Sequence, residues 1–277
     1  MKNILVPVET HSAIESVLQT ALLAARRFDS YVEGMPLGPD LPDLVAFDMP
    51  VSWSVADQNT WKELADEGHE RFAGVMRAAG LAERGQGHQQ PSFGWTGESA
   101  FGESQIGSYA RIFDCSVLGR PGPERGDPRM ATAETVLFES GKPIILAPPK
   151  APEKMGDTVV IAWNNSVETA RASAMAMPFL KAAQKVIVMT VEEFRSEGPA
   201  GDLYADMLRG HGINAEFILR NAKHRNSGEA VLRGAEALGA DLLIKGAYTQ
   251  SRLRQMFFGG ATSHIMNFAE MPVLMTS

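Results

Sequence analysis

Leu242, Leu243 and Ile244 run into Lys245 and Gly246, a polar stretch through Tyr248, Thr249, Gln250, Ser251 and Arg252 follows, and Gly259, Gly260, Ala261 and Thr262 open the next helical pattern. A buried strand that empties into a loop and then into paired glycines at a helix start aims backbone N–H groups and the positive end of a helix dipole at one place. The chemistry this suits is the holding of an anion, a phosphate above all. Lys245, ending the strand, either neutralises such a phosphate or carries its ammonium out to solvent. Arg252 and Arg254 read as a solvated surface and His264 as an ordinary helix residue.

Other reactive residues do not assemble into a pattern. The single cysteine, Cys115, sits in the strand-like stretch Phe113, Asp114, Cys115, Ser116, Val117, Leu118, which predicts a buried, inert thiol. His88, His211 and His224 carry no metal-ligand spacing, and Asp202, Asp206 and Glu216 form no recognisable acid pair. With 26 Lys+Arg against 33 Asp+Glu the net charge is −7, which argues against nucleic acid or an anionic membrane as a partner. The first strand begins almost at Met1 with no leader before it, and no run of about 18 apolar residues occurs, so a cytoplasmic protein is expected.

The elements that would position the glycine loop are written twice. Residues 4–9 followed by a helical stretch over 12–27 resemble residues 159–164 followed by 166–183. The strand at 114–119, a helix and the strand at 142–147 are echoed by 241–246, a helix and 271–275. In the second half the strands 159–163, 186–191, 215–219, 242–245 and 272–275 alternate with helices over 166–183 (kinked at Pro178), 203–211, 229–238 and 262–269. Met175, Met177, Met189 and Met207 read as core filling. Strands apolar on both faces and joined by helices mean an α/β fold with a parallel sheet covered on both sides. The Pro-rich run from Pro148 to Lys154 divides the chain into domains 1–150 and 151–277. In the first half a strand over 31–35 precedes a long loop, 36–55, with apolar Leu41, Leu44, Phe47 and Trp53, read as a lid, an interface segment or a plain excursion, before a helix begins near Asp57.

These residues resemble a tandem universal stress protein, a family of Rossmann-like nucleotide-binding domains with a five-stranded sheet of order 3-2-1-4-5. The family signature is G-x-x-G, nine residues, then G followed by S or T. From Gly246 the second glycine falls on Thr249 and the third on Gly259, so two of the three are in register. The stretch also resembles a bacterial variant, G-A-Y-G-H-S-R-x-R with F-G-G-x-T, and Trp163, Asn164, Asn165, Ser166 resembles its W-N-G-S.

The resemblance implies a role for each position. Gly246 would leave the path of ribose or phosphate free of a Cβ; Gly259, Gly260 and Ala261 would offer the helix-start amides; Thr262 would add a hydroxyl donor. Asn164 stands where the family usually has Asp, beside adenine and ribose. Thr249 brings a β-branched side chain where the family has glycine. In the first half Gly119 and Gly122 keep the G-x-x-G spacing, but the third position falls on Thr132, acidic residues and prolines fill the interval, and Glu9 takes the Asp position, which marks a degenerate site.

Three functions follow from the resemblance. The first is a non-enzymatic stress-response regulator binding ATP or AMP, with Mg²⁺ accompanying ATP, in the C-terminal domain. The second is a ligand-free scaffold whose halves pair through 144–147 and 273–275 as an intramolecular pseudo-dimer, with a further homodimer open and its protein partners unidentified. The third, remote, is an ATP pyrophosphatase-like enzyme, whose S-G-G-x-D-S motif is missing after both first strands.

Overall fold

The computed structural model describes residues 1–38, 56–84, 91–223, 225–247 and 260–277, with the backbone alone for 56–60. The chain divides into two compact units, one of residues 1–119 and 123–142, the other of residues 120–122 and 143–277. The sequence placed the division at 150; Pro143 onward, with its strand, belongs to the second unit.

In the first unit β1 (Asn3–Val8), β2 (Tyr31–Pro36), β3 (Ala82–Glu83), β4 (Ser92–Trp95) and β5 (Cys115–Gly119) form a parallel sheet in the order β3-β4-β2-β1-β5. Helices α1 (Ile14–Phe28), α2 (Ala56–Ala78) and α3 (Glu103–Tyr109) lie between them in the chain, and α4 (Met130–Glu139) follows β5. Ile4, Leu5, Val6, Val32, Phe93, Cys115 and Val117 are all buried, as central strands covered on both faces require. The five-stranded sheet implied by the resemblance calls for a strand beyond β2, but no residue range was read for β3 or β4. Of the expected 36–55 loop, residues 39–55 lie outside the described residues.

In the second unit β7 (Thr158–Ala162), β8 (Lys185–Val191), β9 (Ala215–Arg220), β10 (Leu242–Gly246) and β11 (Val273–Thr276) are parallel in the order β9-β8-β7-β10-β11, the expected 3-2-1-4-5. β6 (Ile144–Ala147) lies antiparallel beside β11, with Leu274 opposite Ile145. The crossovers are α5 (Val167–Met175) and α6 (Met177–Ala182), then α7 (Gly201–Gly210), α8 (Ser227–Ala237) and α9 (Ala261–Phe268). The kink expected at Pro178 is a full break: α5 ends at Ala176 and Pro178 takes the first turn of α6, where its missing N–H costs no helical bond. Met189 is core, but Met207 is 65% exposed on α7 and fills nothing. Strand order reverses between β7 and β10, so their carboxyl ends open on the crevice where α/β sheets bind ligands. No helix among the described residues is long and apolar enough to cross a membrane.

Candidate functional site

At the rim of β10 successive side chains alternate between the two faces of the sheet. Lys245 turns to α9 and Gly246 to α5. Lys245 is 7% exposed. Its Nζ donates to Gly246 O at 2.7 Å and lies 3.4 Å from Thr262 Oγ1. Burial pulls its pKa down from 10.5 to about 8, against the opposing charge of Glu168, so the amine stays mostly protonated at neutral pH. Among the two options read from the sequence, escape to solvent is ruled out by this burial. Thr262, 2% exposed, stands in the first turn of α9.

α9 begins after Gly260, which is extended (φ −83°, ψ 172°) and, as a glycine, brings no side chain of its own to cap the first turn. Ala261 and Thr262 are the first helical residues, so the positive end of the helix dipole lies beside the Lys245 ammonium. A cation buried beside a helix start is electrostatically costly unless an anion joins it. Thr249 and Gly259 lie outside the described residues, as do Arg252 and Arg254.

Two expectations change. Gly246 does not keep a ligand path open: a Cβ there would stand 2.4 Å from both Glu168 C and Thr169 N, so the missing side chain lets β10 pack against the start of α5. Asn164 is also committed to the helix. Its Oδ1 accepts from Ser166 Oγ at 2.7 Å, Thr169 Oγ1 at 2.7 Å and Ser166 N–H at 3.3 Å, while Ser166 Oγ caps α5 by accepting from Thr169 N–H at 3.2 Å. A carboxamide oxygen with three donors has no capacity left for a ribose hydroxyl, and Nδ2 is the group that remains.

The turn after β7 is further fixed to the stretch after β8. Ser196 N–H donates to Asn164 O, Asn165 Nδ2 to Ser196 O and Trp163 Nε1 to Pro199 O, each at 2.9 Å. Asn165 holds a left-handed φ of 65°, tolerable for Asn, and Trp163 stacks on Tyr204 with ring centroids 4.2 Å apart. Glu168, Thr169 and the 196–199 stretch were not singled out in the sequence; only contacts distant along the chain reveal them. His264 packs its ring 4.7 Å from Phe268, as an ordinary helix residue.

The matching rim of the first unit is filled by its own side chains. A Cβ on Gly119 would meet Pro128 Cγ at 2.4 Å and His11 Cε1 at 3.2 Å. Arg129 Nε donates to Glu9 Oε2 at 2.9 Å and Arg129 NH2 to Gly38 O at 2.9 Å. Burial outweighs that arginine and raises the Glu9 pKa. His11 is pushed down to about 4, chiefly by burial, and its Nδ1 accepts from Ala13 N–H at 3.1 Å, so it is neutral at physiological pH. Cys115 is fully buried, its thiol raised to about 12 mainly by desolvation. Among the described residues no group of three or more His, Cys, Asp or Glu side chains is placed to hold a metal ion.

No protein-family model matches the sequence, and no curated protein matches it. Solved structures do. A universal stress protein from Archaeoglobus fulgidus DSM 4304 superposes with a TM-score of 0.71 over 99% of this chain and 96% of that one, at 15% identity. A protein of unknown function from Pseudomonas aeruginosa PAO1 gives 0.53 over 100% and 92%, at 14% identity. A candidate universal stress protein from Pseudomonas aeruginosa UCBPP-PA14 gives 0.51 over 100% and 93%, also at 14%. Likeness along almost the whole chain, joined to the duplicated βα pattern and the strand order, establishes that the chain has the fold of the tandem universal stress proteins.

Proposed function

We propose that the chain is a stress-response regulator that binds an adenine nucleotide, ATP or AMP, in its second unit and performs no catalysis of its own. The observation that carries this reading is the Lys245 ammonium, buried beside the start of α9 with Thr262 at 3.4 Å. A phosphate there would accept from the ammonium, the first amides of α9 and the Thr262 hydroxyl, and would offset the desolvation that depresses the lysine. Asn164 Nδ2 is the donor left for the base or ribose, in place of the Asp expected by resemblance. Mg²⁺ would enter with ATP, on phosphate oxygens rather than on a protein cage.

The first unit takes no nucleotide in this reading, because Pro128, His11 and the Glu9–Arg129 pair occupy the equivalent rim. Protein freshly purified without added ligand, then denatured, is expected to release adenine nucleotide detectable by absorbance and mass, at no more than one per chain. Absence of any adenine species, together with no binding of added ATP or AMP, would sink the proposal.

A second reading, a ligand-free scaffold, is favoured by Gly246 and Asn164. Both do structural work at α5, and β6 pairs antiparallel with β11 through their backbones. The same release experiment separates the two readings.

A further inference from the structure

β9 ends the sheet of the second unit. Its inner edge is spent on β8: Val186 N–H donates to Asn214 O at 2.9 Å, which sets the alternation along the strand. Glu216, Ile218 and Arg220 therefore direct their backbone groups to β8, and Ala215, Phe217 and Leu219 direct theirs outward. Ala215 O is covered by Arg209 NH1 at 2.7 Å. Among the described residues the outward groups of Phe217 and Leu219 have no backbone partner. An uncovered edge of this kind is a template for another strand.

The sequence of the edge says which strand. Laid antiparallel on a copy of itself about Ile218, the run Glu216, Phe217, Ile218, Leu219, Arg220 is self-complementary. Phe217 of each copy meets Leu219 of the other, and both belong to the set whose amides point outward, so this pair exchanges two backbone hydrogen bonds. Glu216 of each copy meets Arg220 of the other on the opposite face, which gives two opposite-charge pairs. Ile218 faces itself on the two-fold axis. A parallel pairing in register would instead set Glu216 against Glu216 and Arg220 against Arg220.

We propose that β9 is a homodimer interface, two copies of the chain joining edge to edge, antiparallel about Ile218, into an isologous dimer. Glu216 is held 2.7 Å from Lys185 and Leu219 is 49% exposed, so the edge presents both an oriented charge and apolar surface to its partner.

The test uses the full chain. Sedimentation velocity across micromolar concentrations is expected to give a dimer. Arg220→Glu, which puts two carboxylates opposite one another at each end, is expected to weaken association at least tenfold, and Glu216→Arg combined with Arg220→Glu to restore it. Circular dichroism melts confirm that each variant is folded. Because neighbours across a non-hydrogen-bonded antiparallel pair stand about 4.5 Å apart between Cα atoms, Ile218→Cys is expected to form a disulfide-linked dimer on mild oxidation, whereas Glu216→Cys and Arg220→Cys are not. A monomer for the wild-type chain at all concentrations, a dimer indifferent to Arg220→Glu, or equal crosslinking at all three positions would overturn the proposal.

Discussion

Gly246 and Lys245 are adjacent in sequence yet answer to different demands, and substitution separates them. Gly246→Ala drives a Cβ into the backbone of α5, 2.4 Å from Glu168 C and Thr169 N, and backbone cannot swing aside as a flexible side chain would. A loss of about 1–3 kcal/mol or more in urea-unfolding free energy is expected; an unchanged midpoint would show that the packing account of this glycine is wrong. Lys245→Met removes a buried cation, and the sign follows from its lowered pKa. Between about 8 and 10.5 the unfolded chain holds a proton that the folded one has released, so this group's contribution to unfolding free energy rises with pH through that window. It contributes an unfavourable term on the order of 3 kcal/mol below pH 8 that fades above it. Compared with wild type, Lys245→Met is expected to be the more stable protein at pH 7, with the difference shrinking by pH 10; urea melts of both at the two pH values check this. Cys115 gives a simpler test. A thiol fully buried and raised to about 12 should resist labelling by a thiol reagent in the native protein and react once in denaturant.

At the scale of elements, α5 is held at its start by side chains that also sit at the candidate crevice. Asn164→Ala removes an acceptor that serves three donors, two of them hydroxyls. It is expected to cost about 1–3 kcal/mol in a thermal or urea melt, whether or not nucleotide is present. Binding loss in this variant is therefore interpretable only beside its stability. The elements of the second unit were legible because the apolar runs of β7, β8, β10 and β11 are long enough, and buried on both faces, to declare strands, the alternation over 215–219 declares the edge strand β9, and Ser166 declares a helix start. β4 was not legible. Its residues Ser92, Phe93, Gly94 and Trp95 carry a glycine in mid-strand, and that glycine is required by a contact across the sheet: a Cβ on Gly94 would stand 2.2 Å from Tyr31 Oη. The break between α5 and α6 was half legible, since Pro178 announces a disturbance but only the packed structure distinguishes a kink from a fresh first turn.

For the whole molecule, duplication was readable because the opening and closing strands of each half repeat their residue types, and the strand order of the second unit follows the family resemblance. The roles of Gly246 and Asn164 were not, because a glycine after a strand serves close packing and ligand approach equally well, and which of the two applies depends on α5, whose contact residues Glu168 and Thr169 lie far from it in sequence. Lys245 is the residue that the sequence left open and the fold decides: it is held inside, beside a helix start, and the proposed anion site of the second unit rests on it, whereas Pro128 and His11 crowd Gly119 in the first unit. The most direct test is calorimetric titration of ATP and AMP into wild-type protein stripped of ligand and into Lys245→Met, at pH 7 and pH 9. The account predicts one nucleotide per wild-type chain, affinity that weakens above pH 8 as the free lysine loses its proton, and about tenfold to a hundredfold weaker binding in the variant at pH 7. Equal affinities for the two proteins, or no binding to either, would contradict it.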